Sequence, residues 1–128
     1  MALIEIQQKE PNTIIDFIAV VFEVGSLQNI NCQDGRARKK RNVTLIDDSF
    51  KVVTLGLWPE FTDAVNGHEG KALVFQNIQV REYQSKVMLS TTTNTIITVD
   101  SMQDSVQLLN KWSKDEACNH DYEELIFL

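Results

Sequence analysis

Apolar and polar residues alternate along several stretches of this chain, most clearly in residues 42–61, NVTLIDDSFKVVTLGLWPEF. β-Branched and aliphatic residues on both sides of the polar triplet at residues 47–49 predict two strands joined by a tight turn. The second strand is expected to end at Trp58, because Pro59 lacks the N–H that a β-ladder needs. We interpret the two aspartates of the triplet as solvated turn residues rather than as paired catalytic carboxylates.

Three further apolar runs predict three more strands. The first strand covers residues 14–25, the fourth residues 71–80, and the fifth residues 87–99 with a break near Asn94. Residues 25–35 are rich in Ser, Asn, Asp and Gly, and this composition predicts a loop before the hairpin.

Two helices are also expected. Residues 59–67 predict a short helix between strands 3 and 4, because proline suits the first helical position and Asn-Gly suits the end. Residues 101–114 predict a C-terminal helix, with Asp100 and Gln103 at the spacing of a capping box. The apolar stripe of this helix consists of Met102, Val106, Leu109 and Trp112.

This order of elements predicts an all-β domain, a five-stranded Greek-key barrel of the OB-fold type with one short inserted helix and a C-terminal helix. A β-sandwich would usually need about seven strands. The 128 residues are enough for a single domain, with its core at about residues 14–114. Ile4 and Ile6 are expected to pack on this body. The apolar end, LIFL, indicates either docking on the body or excision from a longer protein with several OB domains, and we favour excision.

The charge of the chain is unevenly distributed. The net charge is −6, yet five of the 12 basic residues fall within residues 36–41, while seven of the 18 acidic residues follow Val99. An acidic protein with one concentrated basic segment can still bind a nucleic acid there. No apolar run approaches the length of a membrane span, and the N-terminus does not resemble a secretory signal.

Catalytic and metal-binding motifs are missing from the sequence. It contains no Gly-rich phosphate loop, no GxSxG and no HExxH. A zinc site would need Cys32, Cys118, His68 and His120 to converge from scattered positions, so free thiols in a reducing compartment are the better interpretation. We therefore expect neither an enzyme nor a bound cofactor or metal.

Cations and aromatics are expected to meet at one groove. In an OB-fold, the ligand lies across strands 2 and 3 between the loop joining strands 1 and 2 and the loop joining strands 4 and 5. With Trp58 and Lys51 on strand 3, this assignment places eight of the 12 cations around the groove. The first loop carries Arg36, Arg38, Lys39, Lys40 and Arg41, and the second carries Arg81, Tyr83 and Lys86. Cations that follow phosphates and aromatics that stack on bases are what single-stranded DNA binding requires.

Each of these features has a simpler interpretation. A single Trp in a strand is more often a core residue than a base-stacking surface, and a basic run is often a solvated loop. Tyr83 in a polar segment is harder to explain structurally, because an exposed aromatic there needs a reason. The co-occurrence of these features favours binding, and no one residue does so alone.

Three segments resemble the second DNA-binding OB domain of the large subunit of replication protein A. These are KKRNVTLIDDSFKVVTLGLW, KALVFQNIQVREY and LSTTTNTIITVD, and the resemblance covers roughly residues 14–112. Paralogues share the pattern, including a telomerase-associated ciliate protein and a meiosis-specific one. The resemblance implies that Trp58 and Tyr83 stack on bases, that the basic residues 36–41 contact the DNA, and that Gln79 and Arg81 add polar contacts. The departures are a Tyr where Phe is usual, Gln84-Ser85 where glycines usually follow, and Pro59 directly after the Trp.

The resemblance also implies a cellular role. It predicts a single-stranded DNA-binding module of a nuclear, replication protein A-like subunit that acts in DNA replication, repair or telomere maintenance. Its expected partners are single-stranded DNA, neighbouring OB domains of the same chain and other subunits of such a complex. The alternative is a scaffold OB domain that mediates protein–protein contacts and binds little or no DNA.

Overall fold

A closed barrel of five strands forms the body of the computed structural model, which describes residues 1–31, 35–115 and 121–127. The strands are β1 (Ile14–Asn31), β2 (Ala37–Ile46), β3 (Lys51–Leu57), β4 (Ala72–Tyr83) and β5 (Lys86–Thr98). β1 pairs with β2 and β4, β2 with β3, and β4 with β5, all antiparallel. A short parallel pairing of β3 with β5 closes the barrel. The predicted OB-fold is thus confirmed.

The core lies inside the barrel, because alternate residues of each strand point inward. On β3 the inward residues are Val53, Leu55 and Leu57, none more than 3% exposed. Phe75 of β4 is fully buried and stacks on Phe17 of β1 with 5.2 Å between the ring centroids. No helix in the described part of the chain is long and apolar enough to cross a membrane.

β1 and β2 extend well beyond the barrel as a two-stranded arm. Their pairing runs out to Asn31 opposite Ala37, so most of the loop predicted over residues 25–35 is strand. The polar residues of this stretch favour turns locally, but ladder hydrogen bonds to the facing strand outweigh that preference. Residues 38–41 therefore lie on a strand rather than in a loop, and successive side chains point to opposite faces.

The prediction of a short helix between strands 3 and 4 is wrong. Residues 59–67 form successive turns, in which Phe61 N–H donates to the Trp58 carbonyl at 2.9 Å and Ala64 N–H to the Phe61 carbonyl at 2.9 Å. Glu60 has φ of 83°, a left-handed conformation that interrupts the helical path directly after Pro59. Val65 still anchors this turn segment, since it is fully buried in the core.

Helix α1 (Asp104–Asp115) starts later than predicted. Asp100 has φ of 53° and does not act as the cap, and Met102 is 83% exposed. The apolar stripe therefore begins at Val106 and continues through Leu109, both buried against the outside of the barrel. Trp112 packs half-buried on the same cluster, as expected for a core residue.

A local break in β5 falls where the sequence predicted it. The pairing of β4 with β5 shifts between Gln76–Ile96 and Ile78–Thr91, so residues 92–95 bulge outward opposite Asn77. The hydroxyl groups of Thr92 and Thr95 donate to the Asn77 carbonyl at 3.1 and 2.8 Å. These bonds give the bulge a defined shape at the edge of the barrel mouth.

Asp47 is buried, which corrects the expectation that it is a solvated turn residue. It is 2% exposed, and its carboxylate accepts bonds from the Leu3 N–H at 2.8 Å and the Ser49 N–H at 3.0 Å. Leu3 belongs to an N-terminal 3-10 helix (Leu3–Gln8), in which Ile6 is also fully buried. Ile4, by contrast, is 42% exposed, so only one of the two isoleucines packs on the body.

The C-terminal segment docks on the barrel. Strand β6 (Glu123–Glu124) pairs in parallel with the start of β3, and Leu125 is 1% exposed in the core. Two ion pairs hold it, Lys51 with Glu123 at 3.0 Å and Lys86 with Glu124.

Candidate nucleic-acid interface

An open groove of about 770 Å³ crosses one face of the barrel. Its walls come from β2, β3, β4, β5 and the turn segment after β3. Six of the predicted site residues line it, namely Arg38, Lys40, Trp58, Gln79, Arg81 and Tyr83. The groove therefore brings both predicted base-stacking aromatics to one surface.

Trp58 is held in a fixed orientation at the end of β3. Its backbone N–H donates to the Thr91 hydroxyl at 3.1 Å, and its indole N–H donates to the Ser90 hydroxyl at 3.0 Å. Both partners lie on β5, the parallel neighbour of β3. The ring is half-buried and lies outside both core clusters. The indole N–H thus has its hydrogen-bond partner within the barrel, and the ring lines the groove.

Lys40 lies across the floor of the groove against this ring. Its ammonium nitrogen is 5.0 Å from the Trp58 ring centroid, within the range of a cation–π contact. A Cβ built on Gly56 would lie 2.7 Å from Lys40 Cε, so the missing side chain makes room for the lysine stem. Burial lowers the pKa of Lys40, because the charged form loses solvation there.

Gln79, Arg81 and Tyr83 lie on one side of β4, where a spacing of two residues directs their side chains to the same face. Tyr83 was predicted in a loop but ends the strand, opposite Lys86. Gln84 and Ser85 form the two-residue turn, with φ of 51° and 67°, as a type I′ hairpin requires. Tyr83 is 62% exposed. The strand and its tight turn fix where this exposed ring stands.

The remaining predicted cations do not line the groove. Arg41 donates through Nε to the Thr62 carbonyl at 2.8 Å and through Nη1 to the Gly25 carbonyl at 2.9 Å, so it braces the arm against the turn segment. Lys86 and Lys51 pair with Glu124 and Glu123. Arg36 and Lys39 are exposed outside the lining. Of the eight cations expected at the groove, three line it: Arg38, Lys40 and Arg81.

Several groove residues were not anticipated from the sequence. The β5 wall consists of the consecutive residues 88–93, so no spacing in the sequence marked them as groove residues. The carboxylates of Glu60 and Glu82 also line the groove and offset part of its positive charge. No sequence pattern marks these two as groove residues, since both stand in polar segments.

The disfavoured zinc site falls mostly outside the described residues, because Cys32, Cys118 and His120 all lie there. Among the residues that the structure describes, no three His, Cys, Asp or Glu side chains are grouped to hold a metal ion.

Alanine is expected to be tolerated at Gly56 but to destabilise the domain at Gly25. At Gly56 the added Cβ would crowd the flexible end of Lys40 and would make an ordinary contact with the Leu89 carbonyl oxygen at 3.7 Å. Because alanine is favoured over glycine within a strand, we expect Gly56→Ala to change the free energy of unfolding by less than about 1 kcal/mol. At Gly25 the Cβ would lie 2.7 Å from the Asn42 carbonyl oxygen, which is backbone and cannot move aside. Gly25→Ala should therefore cost about 1–3 kcal/mol. Urea unfolding measures the free energy of unfolding of both variants. Equal losses of stability would contradict the position of the Lys40 side chain beside Gly56.

Comparison with known proteins identifies the family. A family model described as the replication protein A OB domain matches residues 3–100. The chain belongs to this family. This replication protein A OB domain is 26% identical over 123 residues to replication factor A protein 1 of Schizosaccharomyces pombe, covering 95% of the chain and 20% of that protein. It is 27% identical over 111 residues to the replication protein A 70 kDa DNA-binding subunit of Drosophila melanogaster, covering 84% of the chain and 18% of that protein. It thus spans about a fifth of the length of these relatives.

Solved structures share the fold of this replication protein A OB domain. A replication protein A heterotrimer bound to single-stranded DNA superimposes with a TM-score of 0.90 at 20% identity, over 98% of this chain and 30% of that one. A complex of Pot1, protection of telomere, with single-stranded DNA gives a TM-score of 0.65 at 16% identity, over 89% of this chain and 85% of that one. At these identities the likeness establishes the fold alone.

Proposed function

We propose that this replication protein A OB domain is a non-catalytic module that binds single-stranded DNA in its groove. The observation that carries the proposal is the convergence of Trp58 and Tyr83 with the cations Arg38, Lys40 and Arg81 on one surface. Aromatic rings stack on unpaired bases of any type, and cations along the same groove follow the phosphates. The relatives named as DNA-binding subunits, and the DNA complexes with the same fold, support this assignment.

The expected affinity of the isolated domain is low. Two base stacks at about 1–3 kcal/mol each give about 2–6 kcal/mol before electrostatics. That free energy is comparable with dissociation constants in the millimolar to micromolar range, about 4–8 kcal/mol. Tethering to neighbouring OB domains would raise the effective affinity, because the second contact becomes intramolecular. We therefore propose that the domain acts with further OB domains of a replication protein A-like large subunit, in nuclear DNA replication, repair or telomere maintenance.

The salt dependence of binding tests the electrostatic part of the proposal. If the three groove cations each neutralise one phosphate, log K should fall with log salt at a slope of about −2, since each single-strand contact contributes about −0.7. Arg81→Gln should reduce that slope by about 0.7. Lys111→Gln, which removes an exposed charge of α1 outside the groove, is the matched control and should leave it unchanged. NMR titration with an oligo-dT strand measures all three, and equal slopes for both variants would contradict phosphate binding in the groove.

The second candidate function is a scaffold that contacts protein rather than DNA. The net charge of −6 and the two groove carboxylates, Glu60 and Glu82, favour this candidate. One simple measurement distinguishes the two functions. Saturable quenching of tryptophan fluorescence by oligo-dT supports the DNA module, whereas no quenching at high micromolar oligonucleotide supports the scaffold.

A further inference from the structure

The groove side of the Trp58 ring is already occupied by a side chain of the same protein. Lys40 and Trp58 both line the groove, and the Lys40 ammonium stands 5.0 Å from the ring centroid. Stacked rings place their centroids about 4.5–7 Å apart. A base that stacks on this face of Trp58 would therefore need the volume that the ammonium occupies.

The ring cannot turn away to offer a free face. Its indole N–H is bonded to the Ser90 hydroxyl and its backbone N–H to the Thr91 hydroxyl, both on the neighbouring strand. Reorienting the ring would break the Ser90 bond and leave the indole donor without its partner. The side chain that has to move is the lysine.

Lys40 is held by weak contacts. Within the described ranges its ammonium has neither an ion pair nor a hydrogen-bond partner, and its contacts are the face of Trp58 and the space above Gly56. Burial lowers the pKa of this ammonium, so the charged group regains solvation when it leaves. The lysine stem has several rotatable bonds, which allow the ammonium to swing out without moving the strand.

We propose that Lys40 is a displaceable cap on Trp58, and that a base entering the groove exchanges with the Lys40 ammonium, which moves to a DNA phosphate. This inference rests on the proposed function and adds a specific step to it. Lys40 then has two opposing effects on affinity: it competes with the base for the ring, and it supplies one phosphate contact. The competition depends little on salt, whereas the phosphate contact weakens as salt rises.

Because the two effects differ in salt dependence, the affinities of wild type and Lys40→Met for oligo-dT should cross as the salt concentration rises. Lys40→Met keeps an unbranched, flexible side chain, one atom shorter than lysine, but removes both the cap charge and the phosphate contact. It should bind oligo-dT about two- to fivefold more weakly than wild type at 0.03 M salt and about 1.2- to 3-fold more tightly at 0.4 M, with the curves crossing at about 0.1–0.3 M. The matched control is Lys39→Met, on the opposite face of β2, which should bind no more tightly than wild type at any salt concentration.

A double-mutant cycle separates the cap from a general charge effect. In a Trp58→Ala background there is no ring to cap, so Lys40→Met should no longer increase binding at 0.4 M salt. Persistence of the high-salt gain in the Trp58→Ala background would overturn the proposal, and so would weaker binding of Lys40→Met than wild type at every salt concentration.

The free protein gives an independent readout by NMR. The Lys40 methylene protons near the indole should show upfield ring-current shifts that vanish in Trp58→Ala and on saturation with oligo-dT. Retention of these shifts in the saturated complex would overturn the exchange even if DNA binds normally. If neither wild type nor Lys40→Met binds DNA, both the proposed function and the exchange are wrong. Binding by Lys40→Met alone would show that Lys40 blocks Trp58 without being displaced, and this result would also overturn the exchange.

Discussion

Replacing both Trp58 and Tyr83 by alanine is expected to remove detectable binding of oligo-dT while the barrel stays folded. Each lost stack costs about 1–3 kcal/mol, so the double variant should lose about 2–6 kcal/mol, or roughly 30-fold to more than 10⁴-fold in affinity. The fold should survive because Tyr83 is 62% exposed and neither ring belongs to a core cluster. NMR titration gives the affinity, and thermal unfolding followed by circular dichroism checks the barrel.

Two conservative variants control for a loss of shape rather than of stacking. Tyr83→Phe keeps the ring and should bind within about twofold of wild type, because the stacking surface is preserved. Trp58→Phe keeps a smaller ring but loses the indole bond to Ser90, so an intermediate affinity is expected. Oligo-dT binding by a folded double-alanine variant at the wild-type affinity would refute base stacking as the mechanism.

The barrel itself could be predicted from the sequence because burial on its strands follows the alternation of residues. In β3 the apolar residues Val53, Leu55 and Leu57 face inward, and this period of two is legible in the sequence. The short helix was mispredicted because Pro59 and Asn66-Gly67 suit helix ends equally well as turns. The left-handed conformation of Glu60 decides between them, and no residue preference indicates it.

The groove was harder to predict than the fold. Treating residues 36–41 as a loop allowed all five cations to face the DNA, whereas on the β2 arm their side chains alternate between two faces. Arg38 and Lys40 consequently line the groove, while Arg41 binds the carbonyls of Thr62 and Gly25. The length of a strand thus determines which charges are available for binding. The turn-forming residues 25–35 led to a prediction in which this strand pair was too short.

The position of Lys40 could not be inferred from local sequence at all. It depends on Gly56, which lies on the neighbouring strand β3, and on Trp58, which directly follows that strand. A glycine on a strand leaves space beside the backbone. At Gly56 the stem of Lys40 fills that space, so this glycine accommodates the lysine.

Leu125→Ala is expected to destabilise the domain by about 2–5 kcal/mol, the usual cost of truncating a buried leucine. Leu125 is 1% exposed within the barrel core, and its backbone bonds to Val52 at 3.2 Å and to Val87 at 3.1 Å join β3 and β5 through the C-terminal segment. Ile126 is the matched control, since it is the adjacent residue, is aliphatic and is 48% exposed. Ile126→Ala should change the free energy of unfolding by no more than about 0.5 kcal/mol.

Urea unfolding monitored by circular dichroism separates these two variants through the midpoint of the transition. Equal midpoints for Leu125→Ala and Ile126→Ala would contradict docking of the segment. The segment pairs with Lys51 and Val52 at the start of β3, whereas Trp58 follows the other end of that strand. Leu125→Ala should therefore bind oligo-dT normally at temperatures where it remains folded, because alanine keeps the backbone bonds of residue 125 to Val52 and Val87. Loss of binding by the folded variant would instead indicate that the C-terminal segment positions the groove through β3 or β5.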